Sequence, residues 1–231
     1  ERARASLSPL SLRFCWTRRY VATTTAVFKL AGELVRPEVA HNLMTLIAEG
    51  SGEDDEADEQ MRRDAVDEFV AMLDDEMMPD AQSLPENLLQ IMAWTLGEYG
   101  YLCSELGGDD GAAPDVGPVV ERLVGIAHRV TISPHTRGFL LSALMKLTVQ
   151  MQACAPAVVE LLARYTQSQD LDLQQRALEF EALLAHQRAM VEVMPLDASC
   201  EEVFDASLPP DECLSFLDAF VDDALARGAP R

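Results

Sequence analysis

Residues 85–102 read PENLLQIMAWTLGEYGYL and hold one of the two tryptophans and two of the four tyrosines of the chain. Just ahead, Ser83-Leu84-Pro85-Glu86 has the form of a capping box. The Ser83 hydroxyl and the Glu86 carboxylate are expected to satisfy first-turn N–H groups, with proline tolerated beside them. Gly97 and Gly100 then fall where a helix disfavours them. A mid-helix glycine costs about 1 kcal/mol relative to alanine, and close approach of a neighbouring helix offsets that cost. Gly97 therefore reads as a packing notch beneath Trp94. The alternative is that Glu98 or Tyr99 meets a partner chain.

Helical stripes extend to both sides of this segment. Val21, Val27, Phe28, Leu30, Leu34 and Val35 recur at spacings of three, four and seven over Tyr20 to Val35, which predicts one buried helical face. Pro37 opens a second helix through Glu49, bearing Val39, Leu43, Leu46 and Ile47, and the two are expected to form a hairpin. Glu59 to Met77 is amphipathic, with Met61, Ala65, Val66, Phe69, Val70 and Leu73 inward and Arg62, Asp64, Asp67, Glu68 and Asp74 outward. Further helices follow from Gly117 to Val130 (Val119, Val120, Leu123, Val124, Ala127) and from Ser133-Pro134 (Phe139, Leu140, Ala143, Leu144, Leu147). Two more start at Pro156 (Val158, Val159, Leu162, Tyr165) and at Asp170-Asp172 (Leu173, Ala177, Phe180, Leu184). A helix about every 20 residues and a hairpin about every 40 is the period of HEAT and armadillo arrays. The fold class expected is all-α, an α-solenoid of stacked antiparallel hairpins over 20–190, in which each hairpin buries its apolar face on the next. After Arg188 the rhythm becomes irregular, and a last helix is expected over Asp211 to Ala226 on Leu214, Leu217, Phe220, Val221 and Leu225.

Composition narrows the function. With 18 Lys plus Arg against 39 Asp plus Glu, the formal charge is −21, which argues against a nucleic-acid groove, where each phosphate contact needs a cation. Five cysteines (Cys15, Cys103, Cys154, Cys200, Cys213) without a CxxC pair suit a reducing compartment. No apolar run reaches the ~20 residues of a membrane span. The first 20 residues carry five arginines against one acid and do not begin with Met. They are expected to be a tail at a chain junction, and the whole to be a fragment.

Chemistry is sparse. Gly50 to Gln60 (GSGEDDEADEQ) fails as an EF-hand, because counting from Asp54 the sixth and twelfth positions are Glu59 and Ala65; it reads as a solvated acidic loop. Cys154 with His128 or His135 would make a nucleophile and base, yet nothing in the sequence places them together. His41, His128, His135 and His186 lack zinc spacing. No catalytic, metal or cofactor residue is assigned. Met61, Met72, Met77, Met78 and Met92 read as core, although Met also serves adaptable binding surfaces.

Three segments carry a family resemblance. Trp94-Thr-Leu-Gly-Glu-Tyr resembles the W-x-L-G-E-Y/F segment in the trunk of adaptin large subunits. Asp172-Leu-Gln-Gln-Arg-Ala-Leu-Glu-Phe is similar to a trunk segment shared by alpha- and gamma-type adaptins. Met194-Pro-Leu-Asp-Ala-Ser-Cys-Glu-Glu, with Leu214-Ser-Phe-Leu-Asp-Ala-Phe-Val, most resembles the epsilon branch, the large subunit of the fourth heterotetrameric adaptor complex. The resemblance covers about Trp16 to Gly228 and implies the C-terminal part of the trunk, with 191–231 its end and the start of the hinge; residues 1–15 match nothing in the family, and 1–19 is read as an N-terminal tail. It marks Trp94, Leu96, Gly97, Glu98, Tyr99, Gln174, Gln175 and Arg176 as packing or subunit-contact residues. It further implies a non-enzymatic scaffold working with a beta-type large subunit and medium and small subunits. An Arf-type GTPase would recruit the complex to the cytosolic face of the trans-Golgi network. The alternative is another HEAT-type scaffold, importin-like or phosphatase-regulatory, that binds a basic partner through acid-rich Gly50 to Asp80.

Overall fold

The computed structural model describes residues 9–50, 54–76, 83–103, 115–194 and 225–227. Among these residues the regular structure is helical, without a strand: α1 (Pro9–Ala31), α2 (Pro37–Glu49), α3 (Asp55–Glu76), α4 (Glu86–Tyr99), α5 (Gly117–Ala127), α6 (Pro134–Met151), α7 (Pro156–Tyr165), α8 (Leu171–Leu184) and α9 (Gln187–Val193). The chain divides into two units, Glu1–Cys200 and Glu201–Arg231. α1 to α9 belong to the first. The last helix expected from sequence falls outside the described residues except for Leu225 and Ala226, which are helical.

The first unit is an α-solenoid in two rows. α1, α3, α5 and α7 follow one another in one row and α2, α4, α6 and α8 in the other, and the rows meet through α3 on α4, α5 on α6 and α7 on α8. Every apolar position read from sequence on α3 and α5 is buried. Each such Leu, Val or Phe contributes about 1.5–3 kcal/mol over leaving it in water. Met61, Met72 and Met92 are core residues; Met77 and Met78 lie outside the described residues.

Helix starts follow cap chemistry where the cap forms. Ser133 accepts from the Thr136 N–H at 3.3 Å with Pro134 at the first helical position, and Asp170 accepts from the Leu173 N–H at 2.9 Å. α4 is different. Its N-cap is Pro85, no side chain caps it, and the Glu86 carboxylate turns away to α6. The capping box expected at Ser83 to Glu86 is therefore absent. α4 also ends at Tyr99, and Gly100 begins a 3-10 turn through Leu102, so only Gly97 lies inside the helix.

Other boundaries differ for physical reasons. The acidic stretch is helical from Asp55, because Asp54 accepts from the Ala57 N–H at 3.3 Å and first-turn acids favour the helix dipole. α1 starts at Pro9 rather than near Tyr20. Its buried face is Val21, Thr25 and Phe28, and Val27, Leu30 and Leu34 are exposed. α1 carries two apolar stripes at helical spacing, and its packing on α3 covers one of them. Rather than pairing tightly as a hairpin, α1 and α2 pack chiefly on α3 and α4 respectively. Val39 and Val159 are exposed, and Leu161 is buried beside Leu162 and Tyr165. Where sequence rhythm lapses after Arg188, α9 is a short helix through Val193.

Polar side chains on the two rows also join successive pairs. Arg62, expected on the solvent face, donates to the Ile47 and Ala48 carbonyls at the end of α2, at 3.1 and 2.6 Å. Asp74 meets Arg122 at 2.5 Å, and buried Glu76 pairs with Arg129. Tyr165 donates to the Ala127 carbonyl at 2.8 Å, tying α7 to the end of α5.

Candidate functional site

The two segments singled out in sequence, on α4 and α8, meet across α6. Trp94, Gly97 and Glu98 form one wall of a groove of about 270 Å³, Asp172 and Arg176 the other, and Gly138, Ser142, Ala143 and Lys146 of α6 the floor. His135 and Phe139 close one end, their rings edge to face at 5.3 Å.

Each wall residue is held from a different direction. A Cβ on Gly97 would lie 2.9 Å from the Ala143 Cα and 3.2 Å from its Cβ, so α4 and α6 touch backbone to backbone there. Glu98, only 3% exposed, pairs with Lys146. Burial pushes the Lys146 ammonium below its usual range, and the Glu98 carboxylate beside it favours the charged form. Gln150 donates to the Gly97 carbonyl at 2.7 Å. Arg176 lies over Gly138, bonded to Asp172 at 2.8 Å and reaching Ser142 at 3.5 Å. The Arg176 hydrogen bond, foremost, holds the Asp172 carboxyl below its usual value.

The remaining marked residues lie elsewhere. Leu96 and Tyr99 are fully buried; Tyr99 packs edge to face on Trp94 at 6.0 Å, with the Arg62 guanidinium 5.4 Å over its ring. Gln174 donates to the Thr166 carbonyl in the turn before α8, and Gln175 to Glu179 on the surface. Of Gln174, Gln175 and Arg176, only Arg176 reaches the groove.

The floor was the part missed. Gly138, Ser142 and Lys146 stand at i, i+4 and i+8 on one face of α6, a small-small-lysine series, and Lys146 is one of two lysines in the chain. A lysine inside an apolar helix was the available signal for a paired acid on a neighbour.

A second polar cluster joins the starts of α4 and α6. Glu86 accepts from the Ser133 N–H at 3.0 Å and from the Ser133 and Thr136 hydroxyls, and Gln90 donates to the Thr136 hydroxyl at 2.9 Å. Burial raises the Glu86 carboxyl, but the Ser133 and Thr136 bonds, with His135 nearby, outweigh it and hold the group below its usual value.

None of this makes a catalytic constellation of Cys154. Burial raises its thiol, a Thr148 hydrogen bond opposing, and a thiol held protonated is a weak nucleophile. His128 lies 2.9 Å from Arg164, and His135 is against Phe139. Among the described residues no group of three or more His, Cys, Asp or Glu could hold a metal ion. No helix among them is long and apolar enough to cross a membrane.

Residues 13–188 match the family described as adaptin N terminal region. The chain is 36% identical over 91% of its length to the AP-4 complex subunit epsilon of Arabidopsis thaliana and 34% identical over 91% to AP-4 complex subunit epsilon-1 of Homo sapiens. It is 29% identical over 80% to AP-1 complex subunit gamma-like 2 of Mus musculus. It spans 21%, 17% and 22% of those three relatives. A helical array matched over most of its length, with identity strongest to epsilon-type subunits among these three, places the chain in the adaptin family.

Proposed function

We propose that the chain is a segment of the large scaffold subunit of a heterotetrameric vesicle-coat adaptor complex, serving cargo sorting and protein transport from the trans-Golgi network. The observation that carries this reading is the use made of the family's marked segments. Within those segments, Gly97 and Glu98 join α4 to α6 through Ala143 and Lys146, and Arg176 joins α8 to α6 through Ser142. A row of helices locked in this way supplies rigid surface rather than chemistry, and the role is not enzymatic. Residues 20–190 form the solenoid trunk and 191–231 its end with the start of a hinge. The acid-rich stretch, which on sequence offered a basic partner a surface, commits Asp74 and Glu76 to Arg122 and Arg129.

In this reading the partners are a beta-type large subunit and medium and small subunits. The complex is peripheral on the cytosolic face of the trans-Golgi network and its vesicles, recruited by an Arf-type GTPase. Unpartnered apolar faces support subunit contact: Tyr20, Val27, Leu30 and Leu34 on the first helical stretch, and Leu171 and Leu178 on α8. Affinity purification of the tagged full-length chain tests the reading. Recovery of the other three subunits is expected, and recovery of nuclear-transport or phosphatase partners in their place overturns it.

A further inference from the structure

Ser133, which Glu86 grips, is followed by proline. The turn between α5 and α6 reads Thr131-Ile132-Ser133-Pro134-His135. Proline confines the residue before it to extended backbone, and Ser133 has φ −66° and ψ 155°. Val130 is 93% exposed, and Thr131, Pro134 and His135 are exposed around it. Ser133 itself is half-buried, held down by its hydroxyl bond to Glu86. Ile132 is the buried anchor of the turn.

We propose that Ser133 is a phosphoacceptor for a proline-directed kinase, and that its phosphorylation releases the start of α6 from α4. The Ser133 Oγ attacks the γ-phosphorus of ATP, the Oγ–P bond forms as the bond to the β,γ-bridging oxygen breaks, ADP leaves, and the hydroxyl proton passes to the kinase base. The inference stands on the Glu86 cluster and not on the adaptor reading.

The neighbours decide the sign of the effect. A phosphate at a helix N-terminus ordinarily stabilises it, because the dipole and free N–H groups favour an anion. Here the Ser133 N–H and the Ser133 and Thr136 hydroxyls already serve the Glu86 carboxylate. A group of charge about −1.5 to −2 would be set against that carboxylate. Of the nearby guanidinium groups, Arg129 pairs with Glu76, and Arg137 donates to the Arg129 carbonyl at 2.9 Å with its Nε left without a hydrogen-bond partner. His135 is exposed beside the turn. Like-charge contact outweighs the dipole, and Glu86 must let go. The effect stays local, because the Gly97–Ala143 contact and the Glu98–Lys146 pair lie farther along the same helices.

The test treats the full chain with a proline-directed serine/threonine kinase and ATP-Mg, with the phosphate located by peptide mass spectrometry. A Ser8→Ala background removes the other Ser-Pro pair of the sequence. One phosphate is expected at Ser133, absent in Ser133→Ala, with a fall in Tm of about 2–4 °C. In Glu86→Gln the same modification is expected to leave Tm unchanged or raise it, since the phosphate then meets no carboxylate. Failure to modify Ser133 in the folded chain, an unchanged or raised Tm in the wild type, or an equal fall in Glu86→Gln each overturns the proposal.

Discussion

Two glycines on the groove wall and floor behave oppositely although both lie inside helices. A Cβ on Gly97 would sit 2.9 Å from the Ala143 backbone, whereas one on Gly138 would sit 3.5 Å from the Arg176 Nε, an ordinary contact with a flexible side chain. Gly97→Ala is therefore expected to destabilise by about 1–3 kcal/mol, the range for overpacking, and Gly97→Leu by more. Gly138→Ala should be neutral or stabilising by up to about 1 kcal/mol from helix propensity. Urea midpoints of the two variants decide it, and equal losses would refute the notch. Glu86 supports a pH prediction of definite sign. Its folded carboxyl lies below the usual 4.5, so the native state binds fewer protons than the unfolded chain through that window. The stability it contributes is whole above the unfolded value and is lost as pH falls through the folded one. Glu86→Gln should weaken the chain near neutral pH, and the difference from wild type should shrink on titration from about pH 6 to about pH 3. A constant difference across that range would mean that the cluster is not held by the carboxylate charge.

At the scale of elements, α1 offers the sharpest comparison. Phe28 is fully buried and Leu30 is 90% exposed, although sequence put both on one stripe. Phe28→Ala is expected to cost about 3–5 kcal/mol and Leu30→Gln to stay within about 0.5 kcal/mol, both measured by chemical denaturation. The same helix shows what sequence could and could not reveal. The period identified the helices, because α3, α5 and α6 each have one apolar face and one partner row. Choosing between two stripes on α1 requires knowing that α3 is its main neighbour, which is a tertiary fact. Glu86 failed for the same reason: S-x-x-E describes a local option, and the Ser133 and Thr136 donors on α6, 47 and 50 residues away, won the carboxylate. Trp94 to Tyr99 and Arg176 were legible as marked residues. That they meet over Gly138, Ser142 and Lys146 was not, since no local pattern says which helices become neighbours in a row.

For the molecule as a whole, the stacked rows leave apolar surface at both ends of the described array. At the start, Tyr20 is 51%, Val27 49%, Leu30 90%, Leu34 88% and Val39 44% exposed; toward the other end, Leu171 is 78%, Leu178 49%, Val191 55% and Val193 63% exposed. A contiguous apolar patch seeks cover, and one rimmed by polar groups marks an interaction face. The net charge of −21 opposes self-association at long range but is largely screened beyond about 8 Å at physiological ionic strength. The isolated 231-residue chain should therefore self-associate in a salt-dependent manner, more strongly at high salt, where the charge term fades and burial persists. Light scattering over a concentration series at low and high salt measures this. Leu30→Lys with Leu34→Lys should lower the average mass without lowering the denaturation midpoint, because neither residue belongs to the core. A chain that stays monomeric at high salt would show that these faces are not adhesive, and subunit binding would then have to use other surface.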